Sequence, residues 1–197
     1  MQTSQSQTPA HHRGTNFDVV LSSALAALLT LAAFHLSLVA SALPPTPEQT
    51  VIVDRAIDIL DTKGFRTEAQ LLRHAATFRG TDNWLNAVAR KENAFAATNF
   101  PFAIVTVYSD FYRRATDDTE RAVILLHEAQ HLMGKDEKGA YEYVWLHRAD
   151  LGWTQLAYGT SPVYVTIEQQ TSEMAPALFN CPSKLWSDCT EKLRAAK

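Results

Sequence analysis

Cysteine is scarce in this 197-residue chain: Cys181 and Cys189 are the only two, both near the C-terminus. Seven residues separate them, a spacing that does not suit a zinc knuckle but closes one local loop. In an exported chain that spacing predicts a Cys181–Cys189 disulfide. Basic clusters are also missing. No run of Lys or Arg forms a stripe, the formal net charge is -3 and the pI is near 6.1, so nucleic acid is not an expected partner. There is no internal repeat, which excludes a solenoid or array. What remains, 46% apolar and 20% charged, is the composition of an ordinary globular protein. Its length predicts one domain of roughly 150 residues once the N-terminal segment is set aside.

That segment has two parts. Residues 1–18 are polar, rich in Gln, Ser and Thr, and are expected to be disordered. Val19 to Ala42 contains no charged residue, although Ser22, Ser23, Thr30, His35 and Ser37 interrupt its apolar character. Its 24 residues are enough to span a bilayer as a helix. It ends in Ala40-Ser41-Ala42, a small-x-small pattern of the kind signal peptidase reads, so a transmembrane anchor and a signal peptide cleaved after Ala42 both remain open. Either puts the rest of the chain outside the cytoplasm, periplasmic or extracellular, or secreted if cleavage occurs. Residues 43–47, with Pro44, Pro45 and Pro47, form a stiff linker, and residues 48–197 form the domain.

Within the domain, Val51, Ile52, Ala56, Ile59 and Leu60 fall at helical spacing, and Gly64 is placed to end that helix. Thr67 to Phe78 predicts a second helix and residues 82–97 a third. Phe102 to Ser109 is β-branched and aromatic, which predicts a strand. Asp117 followed by Glu120 resembles a capping box and opens a helix running to Gly134. A further helix is expected over Glu137 to Ala149, and a short strand over Tyr164-Val165-Thr166-Ile167. Trp145 and Trp153 belong to the core or its edge.

Chemistry concentrates in His127-Glu128-Ala129-Gln130-His131. Side chains four apart share one helix face, so both imidazoles can reach one ion. Glu128 stands beside that ion, where a general base can take a proton from water. Val123-Ile124-Leu125-Leu126 just before the motif makes the helix amphipathic, and two His and a Glu on such a helix need partners.

The H-E-x-x-H pattern, with a strand ahead of its helix, resembles the zincin zinc metallopeptidases over roughly residues 102–143. His127-Glu128-Ala129-Gln130-His131-Leu132-Met133-Gly134-Lys135-Asp136-Glu137 is similar to the metzincin pattern H-E-x-x-H-x-x-G-x-x-H, with Glu137 where the third ligand stands. Glu137-Lys138-Gly139-Ala140 is similar to the gluzincin E-x-x-A element. Both resemblances imply Glu137 as the third metal ligand. Glu142, on the helix expected over Glu137 to Ala149, and Asp136 are the alternatives. Ser172-Glu173-Met174-Ala175-Pro176 resembles a metzincin Met-turn.

The expected fold is thus α+β and mostly helical: a zincin-like domain with a small sheet beside the motif helix, preceded by an apolar helix. The expected function is zinc-dependent hydrolysis of peptide bonds in a peptide or protein substrate, with Glu128 as base and Zn2+ held by His127, His131 and Glu137. Tyr141, Tyr143, Tyr158, Tyr164 and His147 are candidates to stabilise an oxyanion. The alternatives are a non-catalytic envelope protein with a structural metal and a metal-free, membrane-tethered interaction module.

Overall fold

The structure, a computed structural model, describes residues 15–88, 94–180 and 190. The chain divides into two units, Met1–Ser37 and Leu38–Lys197. The first is dominated by helix α1 (Thr15–Ala40), which begins earlier than the composition predicts and whose Phe17–Ala40 stretch is long and apolar enough to cross a membrane. Three of its polar residues are reconciled with an apolar helix by bonding back to their own backbone. The hydroxyls of Ser22, Thr30 and Ser37 donate to the carbonyls of Val19, Ala26 and Phe34. Most of the expected disordered segment, and the expected Cys181–Cys189 disulfide, lie outside the described residues.

The second unit is mostly helical with one small sheet. Helix α2 (Pro47–Thr62) starts on a capping box: the Thr46 hydroxyl accepts from Gln49 N–H, the Gln49 side chain accepts from Thr46 N–H, and Pro47 occupies the first turn, where its missing donor costs nothing. Its buried face is Val53, Ala56, Ile57 and Leu60, whereas Val51 is exposed, so the apolar stripe is rotated from the one periodicity marks. Gly64 follows the helix at φ +96°, a conformation that favours glycine.

Helix α3 (Arg66–His74) is shorter than expected, because residues 77–79 leave it to form strand β1 (Thr77–Arg79). The predicted helix over 82–97 is not found among the described residues of that range. Among the described residues this stretch holds one 3-10 turn, Asn86–Val88, and then enters strand β2 (Ala96–Asn99). The reason is an asparagine network. Asn83 Oδ1 accepts from the N–H groups of Leu85 and Asn86, its amide donates to Asn99, Asn99 donates to Asn86, and Asn86 donates to Thr106. Those bonds tie the turn to the sheet instead of to a helix.

Strand β3 (Ile104–Val107), every residue of it buried, is the centre of the sheet. It pairs in parallel with β1 (Phe78 opposite Val105) and antiparallel with β2 (Thr98 opposite Val105), giving the order β1-β3-β2. Short helix α4 (Ser109–Arg113) follows, and then the central helix α5 (Asp118–Leu132), which packs against α2, α3, α6 (Glu137–His147) and strand β2. The small sheet therefore lies beside the motif helix, as expected. Val123, Ile124, Leu125 and Leu126 are all buried.

Asp117 caps α5 through Glu120 N–H at 3.0 Å, but the capping box is only half formed. The Glu120 carboxylate, fully buried, turns inward and gathers the Thr116 N–H and hydroxyl, the Trp153 indole N–H and the Ser161 hydroxyl. Ser161 in turn caps α8 (Pro162–Met174). The predicted strand over 164–167 is helical here, within α8, after the short helix α7 (Gln155–Tyr158). Trp145 and Trp153 are both fully buried and pack with Tyr164 in an aromatic cluster whose ring centroids lie 4.7–6.2 Å apart.

Candidate metal centre

The end of α5 is set by Gly134. At φ +83° it follows the C-cap residue Met133, its N–H bonds to the His131 carbonyl at 2.9 Å, and the Lys135 N–H bonds to the Gln130 carbonyl at 3.0 Å. This is a Schellman turn, which glycine permits without strain. Asp136 then caps α6 by accepting from Gly139 N–H at 2.8 Å. Glu137 is thereby the first residue of α6 and is folded back against the last turn of α5.

Three side chains converge. His127 Nε2 and His131 Nε2 are 3.0 Å apart. Glu137 places its two carboxylate oxygens 3.3 Å from His127 Nε2 and 3.5 Å from His131 Nε2. Donors about 2.05 Å from a tetrahedral zinc stand roughly 3.3 Å from one another, so this spacing fits such an ion. The tautomer fits as well. The Lys135 carbonyl, which can only accept, lies 2.9 Å from His131 Nδ1, so Nδ1 carries a proton, and once the ring gives up its second proton the Nε2 lone pair faces the other two donors. His127, His131 and Glu137 are thus a group that could hold a metal ion.

The field at this point favours positive charge. Burial works against a charged His131, but the Glu137 hydrogen bond, the Lys135 carbonyl and the charges of Glu128 and Glu137 outweigh it and raise its pKa to about 9. The two imidazoles hold the Glu137 carboxyl well below its usual range, His127 most strongly. Glu128 is buried beside them, and burial pushes its carboxyl upward against the opposing pull of His127, Thr98 and His131. One of its oxygens accepts the Thr98 hydroxyl from β2 at 2.7 Å.

These groups share a cavity of about 640 Å³, a size suited to a small ligand or a few residues of peptide. Ile124, Val144, Ile167 and Met174 give it an apolar wall, with Tyr141 and Gln170 adding polar atoms. The Tyr141 ring lies 4.4 Å from that of His127, and its hydroxyl donates to Gln170 at 2.7 Å. Burial and the nearby Glu137, Glu128 and Glu173 raise the Tyr141 pKa, keeping it a proton donor at neutral pH.

The remaining expectations sort by geometry. Glu142 faces Lys138 at 3.6 Å and lies outside the converging group, and Asp136 is committed to its cap. Tyr143 bonds to Glu68, Tyr158 to Asp117 and His147 to Asp150, while Tyr164 lies in the aromatic cluster; of the five oxyanion candidates, only Tyr141 lines the cavity. Met174 lines it too, but as the last residue of α8, not from a tight turn. Thr98 and Gln170 were not foreseen. No local signal marks either residue, because their place depends on sheet pairing and on the packing of α8. Comparisons with protein-family models, with curated proteins and with solved structures found no match for the chain.

Proposed function

We propose that residues 48–197 form a zincin-like zinc metallopeptidase domain, held at a membrane by α1, that hydrolyses peptide bonds. One observation carries this: two imidazole nitrogens and a carboxylate from a second helix meet at ligand spacing, beside a buried glutamate, in one cavity. His127, His131 and Glu137 would hold the ion. When bound, zinc supplies Lewis-acid polarisation of a carbonyl and makes water a nucleophile near neutral pH. Glu128 is the general base. Its raised affinity for protons suits it to take one from water and return it to the leaving amine, and Thr98 holds its carboxylate in place. Tyr141 is the donor best placed to meet a developing oxyanion. Three protein ligands leave a position open for water or substrate, whereas a purely structural metal would need a fourth, and Glu142 is paired elsewhere.

Retention of α1 as an anchor is supported by the junction. Leu38 and Ala42 are buried, Leu43 N–H bonds to the Thr81 hydroxyl at 2.8 Å, and Trp84 N–H bonds to Ser41 at 3.2 Å. Cleavage after Ala42 would strip residues that the fold covers. Intact mass of the membrane-extracted chain should therefore include residues before Leu43; a mature chain beginning at Leu43 would refute the anchor.

The catalytic proposal is tested with Glu128→Gln. The full-length variant should bind zinc as wild type does and lose cleavage of a peptide library by at least ~100-fold. Full activity in the variant would overturn the mechanism.

A further inference from the structure

Lys135 poses a question of charge. It lines the same cavity as a group of side chains suited to a cation, and a positive charge on that cavity's wall opposes cation binding by Coulomb's law. Its surroundings supply a reason for it. The Nζ sits 4.2 Å from the centre of the Tyr143 ring. That ring is itself fixed: its hydroxyl donates to Glu68 at 2.8 Å, and its face packs on His147 with centroids 4.4 Å apart. Glu68, 7% exposed, also receives the Gln130 amide, on the residue whose carbonyl binds Lys135 N–H. The Lys135 side chain and backbone are therefore both gripped, and between them is the carbonyl that accepts the His131 Nδ1 proton.

We propose that Lys135 is a positioning residue: seated on Tyr143, it fixes the carbonyl that orients His131 toward a bound metal, an inference that rests on the metal-site reading above. Groups that hold a ligating histidine by its other nitrogen tune metal affinity. Here the tuning comes from a residue whose charge acts in the opposite direction, so the sign of the effect separates the two roles.

The test uses the full-length chain in detergent and measures zinc affinity by competition with a chromogenic chelator. Lys135→Met should weaken zinc binding about two- to fivefold, the range an exposed cation–π contact carries, although loss of the positive charge alone would tighten it. Lys135→Arg, which keeps the cation on the ring, should restore the wild-type value. Lys138→Met, which removes a neighbouring positive charge paired with Glu142, should leave binding unchanged or slightly tighter. In metal-free samples above pH 9, where the His131 ring is neutral, its 15N shifts should show the Nδ1–H tautomer less populated in Lys135→Met than in wild type. Tyr143→Leu should match Lys135→Met, and the double variant should be no worse than either. Lys135 is exposed, so its variants keep the fold even if Tyr143→Leu does not. If wild type binds zinc and Lys135→Met binds it equally or more tightly, this inference is wrong while the metal site stands. If wild type binds no zinc, both fall.

Discussion

Replacing Glu120 by glutamine should destabilise the domain although the side chain keeps its shape. Each carboxylate oxygen serves one N–H and one hydroxyl: Oε2 takes the Thr116 N–H at 2.8 Å and the Thr116 hydroxyl at 2.9 Å, while Oε1 takes the Trp153 indole at 3.3 Å and the Ser161 hydroxyl. An amide nitrogen in either position meets donors. A hydroxyl can turn to accept, but an N–H cannot. Ser161 is already committed as acceptor to Val163 and Tyr164 N–H. Glutamine therefore orphans the Thr116 N–H or the Trp153 indole, and it also weakens the charge-assisted bonds that remain. An orphaned buried donor costs about 1–3 kcal/mol, which with the lost charge gives roughly 2–3 kcal/mol. At about 2–4 °C per kcal/mol for a domain of this size, Tm should fall by about 4–12 °C. Glu120→Ala orphans both N–H groups and should cost more, about 3–5 kcal/mol. Thermal unfolding of the full chain in detergent, with Glu142→Gln at a half-buried carboxylate as control, measures this. Shifts under about 2 °C for both Glu120 variants would show that this carboxylate does not hold the N-terminus of α5.

Two further outcomes follow from the same contacts. In chelator, His131 keeps its proton in the folded state up to about pH 9 against an ordinary 6.5. Its stabilisation is thus complete below 6.5 and lost as pH rises through 9, while the lowered Glu137 contributes above its ordinary 4.5 and is lost in acid. Melting temperature without metal should accordingly decline between pH 6.5 and 9, and His131→Ala should flatten that slope; an unchanged slope would place the proton elsewhere. Gly134→Ala meets only the Phe100 ring at 3.8 Å, so its cost is the backbone strain at φ +83°, about 1–2 kcal/mol, read by the same unfolding assay; a variant as stable as wild type would contradict that strain.

The part of the site carried on consecutive turns was legible in the sequence. Asp117, the apolar run 123–126 and Gly134 announce α5 and its end, and Glu137 is only six residues beyond His131. Other elements were hidden because nonlocal bonds decide them. Residues 77–79 become a strand by pairing with β3, and residues 96–99 do so despite two alanines, which favour helix. Glu120 has the spacing of a capping box, but Trp153 and Ser161, distant in sequence, recruit it to the core. The misread strand at 164–167 had a local signal against it: Ser161-Pro162 is a helix start, with Ser as cap and Pro in the first turn, and it outweighs the β-branched residues that follow.

The central claim is tested most directly by zinc stoichiometry of the purified full-length chain, stripped with chelator, reloaded and desalted, for wild type, His131→Ala and Glu137→Ala. One zinc per chain in wild type, none retained by His131→Ala, and a site weakened by at least ~100-fold in Glu137→Ala is the expected result. Wild type that retains no zinc, or a His131→Ala variant that retains it as well as wild type, would contradict the assignment.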